Sequence, residues 1–359
     1  MKKRIIGINV ARALAIFGMI IVNFKVVLGT KGGDAFLKPL LKILDGKAAA
    51  TFVVLAGVGL ALMSNKAYKS NLLDNWKVVQ VRILKRAVFL FILGLSYIWI
   101  WPADILHFYG IYMLVTLVVI KRSKKSILWS SVILILIYPI LITFFDYELG
   151  WNFETLDYAN FWSINGFFRN LFFNGFHPVL PWVAFMLAGL WFGRLDLYNN
   201  ALLKRTAIIS GGVFLLIQAI PYIALYTFDE YGGGIEGDLA IFFKTDPMPP
   251  LPLYMFNGIS IALFVISSCI ILARKFDTHW IILTLNKTGQ LALTFYVAHV
   301  VIGMGWIEEF GSLSLGEYSL EFSFFYAIGF SLLCIVFAEL WLKYKSSGPL
   351  EWIMRKVCG

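Results

Sequence analysis

Charge is what this sequence lacks. Of its 359 residues 14% are Asp, Glu, Lys or Arg, against 60% hydrophobic residues and a mean hydropathy of +0.79. An ordinary soluble domain carries about 25% charge, so the scarcity excludes that class and leaves an integral membrane protein. Cysteine is nearly absent too: Cys269, Cys334 and Cys358 have no metal-like spacing and are expected to be reduced and structural. No metal site is expected. Low-complexity tracts, soluble domains and clear internal repeats are missing, so one transmembrane domain over residues 1–359 is the economical reading. The net charge of +10 sits in short clusters between apolar runs, which argues against nucleic acid and for membrane topology.

What is there is apolar length. With roughly 20 apolar residues per crossing, the chain predicts an all-α, polytopic bundle of about ten transmembrane helices: Ile5 to Leu28, Ala48 to Met63, Ile83 to Trp101, Ile105 to Ile120, Ile127 to Phe145, Pro178 to Gly193, Ala207 to Phe228, Leu251 to Ala273, Ile281 to Trp306 and Phe322 to Leu342. A corner of Pro102, Ala103 and Asp104 makes the third and fourth antiparallel neighbours. About thirty aromatic-rich residues before His177 read as an interfacial segment. The basic N-terminal run lacks a convincing cleavage site and is expected to stay attached. Of the 31 lysines and arginines, 22 fall in Lys2 to Arg4 and in the alternate connections on the same side. Six fall opposite, and Arg12, Lys25 and Lys287 lie within helices. The bias puts both termini in the cytoplasm, with the plasma membrane and its lipids as surroundings.

The first span carries Asn9, Arg12 and Asn23 on one face, and Ala11, Ala15 and Gly18 on a small-residue face suited to close helix packing. Arg12, about 10 Å in from the cytoplasmic end, needs a partner. Together with Arg82, Lys85 and Arg86 it has the chemistry to hold a phosphorylated ligand; the alternative is topogenic charge with Arg12 in a structural ion pair. Asp104 and His107 are three residues apart on one helix side, so the carboxylate can orient the imidazole as a general base; the alternative is a helix cap beside an interfacial histidine. His177 and His299 lie towards the same outer face, and with Trp182 and Tyr296 they are the candidates for holding a substrate. Asn286, Gln290 and Thr294 repeat every four residues, as an interhelical seam or a cavity lining.

Several of these segments together resemble the YeiB-like family of bacterial membrane proteins, within the heparan-alpha-glucosaminide N-acetyltransferase group of transmembrane acyltransferases. The resemblance rests on Ile8-Asn9-Val10-Ala11-Arg12-Ala13 with Val22-Asn23, and on Asp45-Gly46-Lys47 through Phe52 and Gly57. It continues through Asp104 to Gly110, Pro181-Trp182 with Gly193-Arg194, Gly289 to Tyr296, and Gly348-Pro349-Leu350-Glu351-Trp352. It implies acyltransferase-like helices over residues 1–145 and YeiB-like helices over 146–359. It further implies that acyl-CoA, typically acetyl-CoA, is a co-substrate approaching from the cytoplasm and that an acceptor, a glycan or a lipid, is modified outside. A homo-oligomer is compatible with it. On this reading His107, Asp104 and Asn23 form the catalytic group, and Arg12, Arg82, Lys85 and Arg86 bind the donor. The sequence departs from the family at Asn9 for aspartate and Ala13 for glycine, and its first loop has no histidine. Either His107 or another outer-face histidine takes that place, or the activity differs. The runner-up from another class is a transporter of a small solute or lipid-linked substrate, its ten helices forming two halves; a scaffold or sensor without chemistry is the third reading.

Overall fold

The computed structural model describes residues 5–29, 31–33, 36–70, 73–153, 155–230 and 242–359. The basic start Lys2 to Arg4 lies outside the described residues. The chain folds as an all-α protein: α1 Ile6–Leu28, α2 Leu37–Leu44, α3 Lys47–Ser70, α4 Leu73–Leu95, α5 Leu106–Val119 and α6 Lys124–Phe144. A two-residue hairpin, Trp151–Asn152 with Asp157–Tyr158, precedes α7 Ile164–Arg169, which runs through a π turn toward α8 Val179–Gly193. Then come α9 Asn200–Glu230, α10 Pro252–Lys275, α11 Trp280–Gln290, α12 Ala292–Ala298 with a π turn His299–Met304, α13 Gly305–Phe310, α14 Leu320–Tyr344 and α15 Pro349–Cys358.

Six stretches among the described residues are long and apolar enough to cross a bilayer, and two bent pairs, α7 with α8 and α11 with α12 and α13, raise the number to eight. Each of the ten apolar segments read from the sequence falls on a helix or a bent pair. The two that miss the standard do so for plain reasons: α4 carries Asp74, Lys77, Arg82, Lys85 and Arg86, and α5 has 14 residues. Several helix starts have local causes. Ser123 and Ser319 accept hydrogen bonds from the amides of Ser126 and Phe322, and Pro252 and Pro349 open α10 and α15 where a missing N–H costs little.

Polar turns lengthen α3 to Ser70 and start α9 at Asn200, beyond the apolar runs read from the sequence, and two segments differ more deeply. The third segment begins at Leu73 rather than Ile83, because its polar start is made of good helix formers, and ends at Leu95 rather than Trp101. The corner is therefore longer than three residues. Ser96 turns its hydroxyl onto the Leu93 carbonyl at 2.6 Å, and successive turns carry the chain to Asp104. The ninth segment is not one straight span: it breaks at Leu291 with a bend of 69°.

The centre of the bundle is α1, α3, α8 and α10, whereas α9 has 17% of its apolar stretch buried and α6 has 22%. Ile208, Leu215, Trp129, Ile133 and Leu332 accordingly face outward, as lipid-contacting side chains must. The small-residue face of α1 packs inward, with Ala11 and Ala15 buried and Gly18 against Ala48. Helices α3 and α8 approach most closely where glycines face backbone. A Cβ at Gly189 would lie 1.9 Å from the Val54 carbonyl oxygen, and one at Gly57 would lie 2.0 Å from that of Met186. Gly189→Val is therefore expected to force α3 and α8 apart, at a cost of about 3 kcal/mol or more. Gly212→Ala, which has open space around its Cα, should be nearly neutral. Melting curves in detergent check this, and equal melting temperatures for the two variants would contradict the packing.

Candidate active site

The corner between α4 and α5 delivers Asp104 and His107 to the interior, where their side chains are 0% and 1% exposed. The approach depends on Gly94 of α4, since a Cβ there would lie 2.4 Å from both Asp104 Oδ2 and the His107 amide nitrogen. Asp104 is fully engaged. Its Oδ2 accepts the backbone N–H of His107 at 3.0 Å and meets His107 Nδ1 at 2.9 Å. Its Oδ1 accepts the hydroxyls of Tyr97 at 2.7 Å and Tyr296 at 3.2 Å, and Tyr296 in turn accepts the Ile105 amide at 3.0 Å. The carboxylate thus both caps α5 and orients the ring, so the two roles offered by the sequence coexist. Burial raises the Asp104 pKa, but the hydrogen bonds from His107 and Tyr97 outweigh it and hold the group below the usual carboxylate range.

A carboxylate accepting at Nδ1 fixes the imidazole tautomer: Nδ1 carries the hydrogen and Nε2 the lone pair. His107 Nε2 is buried without a hydrogen-bond partner among the described residues. That is the arrangement a general base requires.

Two of the other three histidines, His177 and His299, lie around this pair in different ways. The His177 ring packs edge-on to Trp182 at 4.6 Å and lies 6.0 Å from Phe108, whose ring is 4.0 Å from that of His107. His177 Nδ1 and Trp182 Nε1 are also buried without described partners. His299, at the π turn after α12, has its Nε2 2.9 Å from Asn23 Nδ2 and its ring 5.2 Å from Tyr296. Asn23 therefore holds His299 rather than touching Asp104 or His107. His279 caps α11 by accepting the Ile281 amide, far from this cluster in role.

Toward the other end of the bundle lies a cavity of about 290 Å³ lined by Arg12, Arg86 and Arg355, by Gln290 and Glu351, and by apolar residues from Phe52 and Leu106 to Met63 and Met113. Along α3 it extends from Phe52 to Met63, about 16 Å at 1.5 Å per residue. Its inner end reaches the dyad's neighbours. Leu106 precedes His107, and Phe52 stacks on Tyr296 at 6.3 Å. Arg12 donates to Asn9 Oδ1 at 3.2 Å, and Asn9 donates to Asn286 Oδ1 at 2.8 Å across to α11.

Of the four basic residues grouped by sequence, Arg12 and Arg86 line this cavity. Arg82 lines a separate depression with Lys77 and Cys358, and Lys85 is exposed. The polar line of α11 and α12 divides likewise: Asn286 bridges to α1, Gln290 faces the cavity, and Thr294 bonds Glu351. Tyr97, Glu351 and Arg355 were not legible as site residues. Tyr97 meets its carboxylate through the irregular corner. Glu351 lies in the Gly348–Trp352 motif of the resemblance, which marks the family and not a site, and Arg355 carries only the signal of an i, i+4 neighbour on one face of an amphipathic tail helix.

Asp104→Ala should strand His107 Nδ1 and two phenols in the interior and cost on the order of 3–5 kcal/mol, the scale for breaking a buried charged network. Asp104→Asn should cost less, because an amide oxygen still accepts. The depressed folded-state pKa gives a sign: this stabilisation is fully present above about pH 4 and is lost as the pH falls through the folded pKa. Melting temperatures of parent and variants between pH 3 and 7 test it, and an Asp104→Ala protein as stable as the parent would contradict the network.

The family model described as "Heparan-alpha-glucosaminide N-acetyltransferase, catalytic" matches residues 4–224, and one described as "Protein of unknown function (DUF418)", the YeiB-like family, matches residues 191–358. No curated protein matches the chain.

Proposed function

Because the chain belongs to the heparan-alpha-glucosaminide N-acetyltransferase catalytic family, we propose that it is a membrane acyltransferase. It takes an acyl group from acyl-CoA on the cytoplasmic side and passes it to an acceptor hydroxyl or amine at the outer face. The observation that carries this reading is one cavity lined by guanidinium groups that also reaches Leu106, which precedes His107, and Phe52, which stacks on the Tyr296 bonded to Asp104 of the buried Asp–His pair. A cavity near 300 Å³ is at the small end of ligand sites. It suits the acyl-pantetheine arm, with the nucleotide at the mouth near Arg86 and the acyl carbonyl near Leu106. In this account ten crossings put both termini in the cytoplasm and the Asp104–His107 pair toward the outside.

The chemistry balances on this chain's own groups. His107 Nε2 accepts the acceptor's proton while the acceptor oxygen or nitrogen attacks the thioester carbonyl. The carbon–sulfur bond of the resulting tetrahedral species then breaks, and the departing thiolate recovers a proton from His107. Asp104 stays ionised and steadies the imidazolium in between. His177 and Trp182 border the acceptor's position, while Asn23 acts through His299, as a positioning residue.

Broken helices of the α11–α12 type also line translocation paths, so transport is the competing reading. Binding of coenzyme A separates the two, since a simple solute transporter has no reason to bind it. The test uses vesicles holding the protein with its cytoplasmic face inward, loaded with labelled acetyl-CoA and supplied with acceptors outside. His107→Ala is expected to bind coenzyme A as the parent does yet transfer about 10²-fold more slowly. Transfer by His107→Ala at the parental rate removes His107 as the base, and a parent that binds no coenzyme A moves the transporter reading ahead.

A further inference from the structure

The tail helix α15 turns one edge into the bundle and lines the cavity with Glu351, Met354 and Arg355. Glu351, in its first turn, is buried at the break between α11 and α12. Its Oε1 accepts the amides of Leu293 at 2.8 Å and Thr294 at 3.1 Å, and its Oε2 accepts the Thr294 hydroxyl at 2.6 Å. The Leu350 amide donates to the same hydroxyl oxygen at 3.2 Å. The start of α12 thus has its unpaired N–H groups capped by a carboxylate from 58 residues away. This carboxylate is taken up by neutral donors, not by an arginine.

One turn along, Arg355 lines the same cavity as Glu351, as an i, i+4 neighbour must. Across from it stands Arg86 of α4, near enough to Arg82 and Arg355 for their charges to repel its own. Arg86 Nε is buried and unpartnered, and no ion pair among the described residues includes Arg86 or Arg355. Arg355 is exposed at the cavity's edge and Arg86 half-buried, and the carboxylate in this lining, Glu351, is engaged by the Leu293 and Thr294 donors, so the guanidinium groups are left to donate charge-assisted hydrogen bonds to an anionic ligand. Beyond them the walls turn apolar, with Leu55, Leu60 and Met113. The cavity therefore selects a ligand with phosphate at one end and a long uncharged arm at the other.

We infer that α15 is a wall of the donor site: Arg355, paired with Arg86, holds a phosphate of the ligand, and Glu351 positions the helix by fastening it to the break at Leu291. This rests on the acyl-CoA reading for the ligand's identity but not for its chemistry, which a phospholipid headgroup shares.

The experiment has two arms. In the first, calorimetry on the full-length protein in detergent measures coenzyme A and pantetheine against the parent, Arg355→Gln, Arg355→Lys and Lys356→Gln. Arg355→Gln is expected to bind coenzyme A at least 10-fold more weakly while pantetheine binding is unchanged. Arg355→Lys should recover part of the loss, and Lys356→Gln, one position round the helix and outside the cavity, should match the parent. Parental coenzyme A affinity in Arg355→Gln overturns the inference. If the parent itself binds no coenzyme A, the donor reading fails, and the second arm decides the anion site alone. Native mass spectrometry then counts phosphatidylglycerol retained from vesicles of that lipid mixed with phosphatidylcholine. Retention lost in Arg355→Gln supports a phosphate site taking lipid, and equal retention overturns it.

Discussion

The buried carboxylate of Asp104 is the constraint on which the site depends. Four hydrogen bonds converge on two oxygens, and they tie together the corner after α4, the first turn of α5 and the far side of the bundle at Tyr296. A charged group with no exposure persists in such a place only when its lone pairs are filled. Filling them fixes the tautomer of His107 and leaves its second nitrogen as the open valence. The tight seat beside Gly94 and the break in the ninth segment both serve this arrangement: one admits the carboxylate, and the other swings Tyr296 toward it.

The break itself is maintained from a distance. A 69° bend leaves amides at the start of α12 without helical partners, and Glu351 supplies the acceptors. The tail helix therefore connects the arginine-lined end of the cavity to the segment that carries Tyr296 and His299. The same short helix brings Arg355 to the cavity wall. A single element thus shapes the path at both its charged mouth and its bend.

Much of the helical scaffold was legible because runs of apolar residues near bilayer length have few other fates. The Asp104–His107 pair was legible for a similar reason, since i, i+3 spacing needs only local geometry. The sequence did not reveal the break at Leu291, whose free amides find their acceptor at Glu351, or the partnership of Tyr97 and Tyr296, which depends on tertiary packing. Grouping Arg12, Arg82, Lys85 and Arg86 by membrane side was too coarse. Topology sets the side, but helix rotation decides that Arg86 faces the cavity while Lys85 faces out. Asn23 shows the same limit, because its partner His299 is 276 positions away.

The central claim is that the donor's acyl end travels down the cavity to the neighbourhood of His107. An acyl-CoA analogue with a photoreactive group at the acyl terminus, irradiated with the reconstituted protein and mapped by mass spectrometry, tests it most directly. The account predicts crosslinks on α5, at Leu106, Tyr109 or Met113, that free coenzyme A suppresses. Crosslinks confined to lipid-facing residues such as Ile208 and Leu215 of α9, or insensitive to coenzyme A, would contradict it.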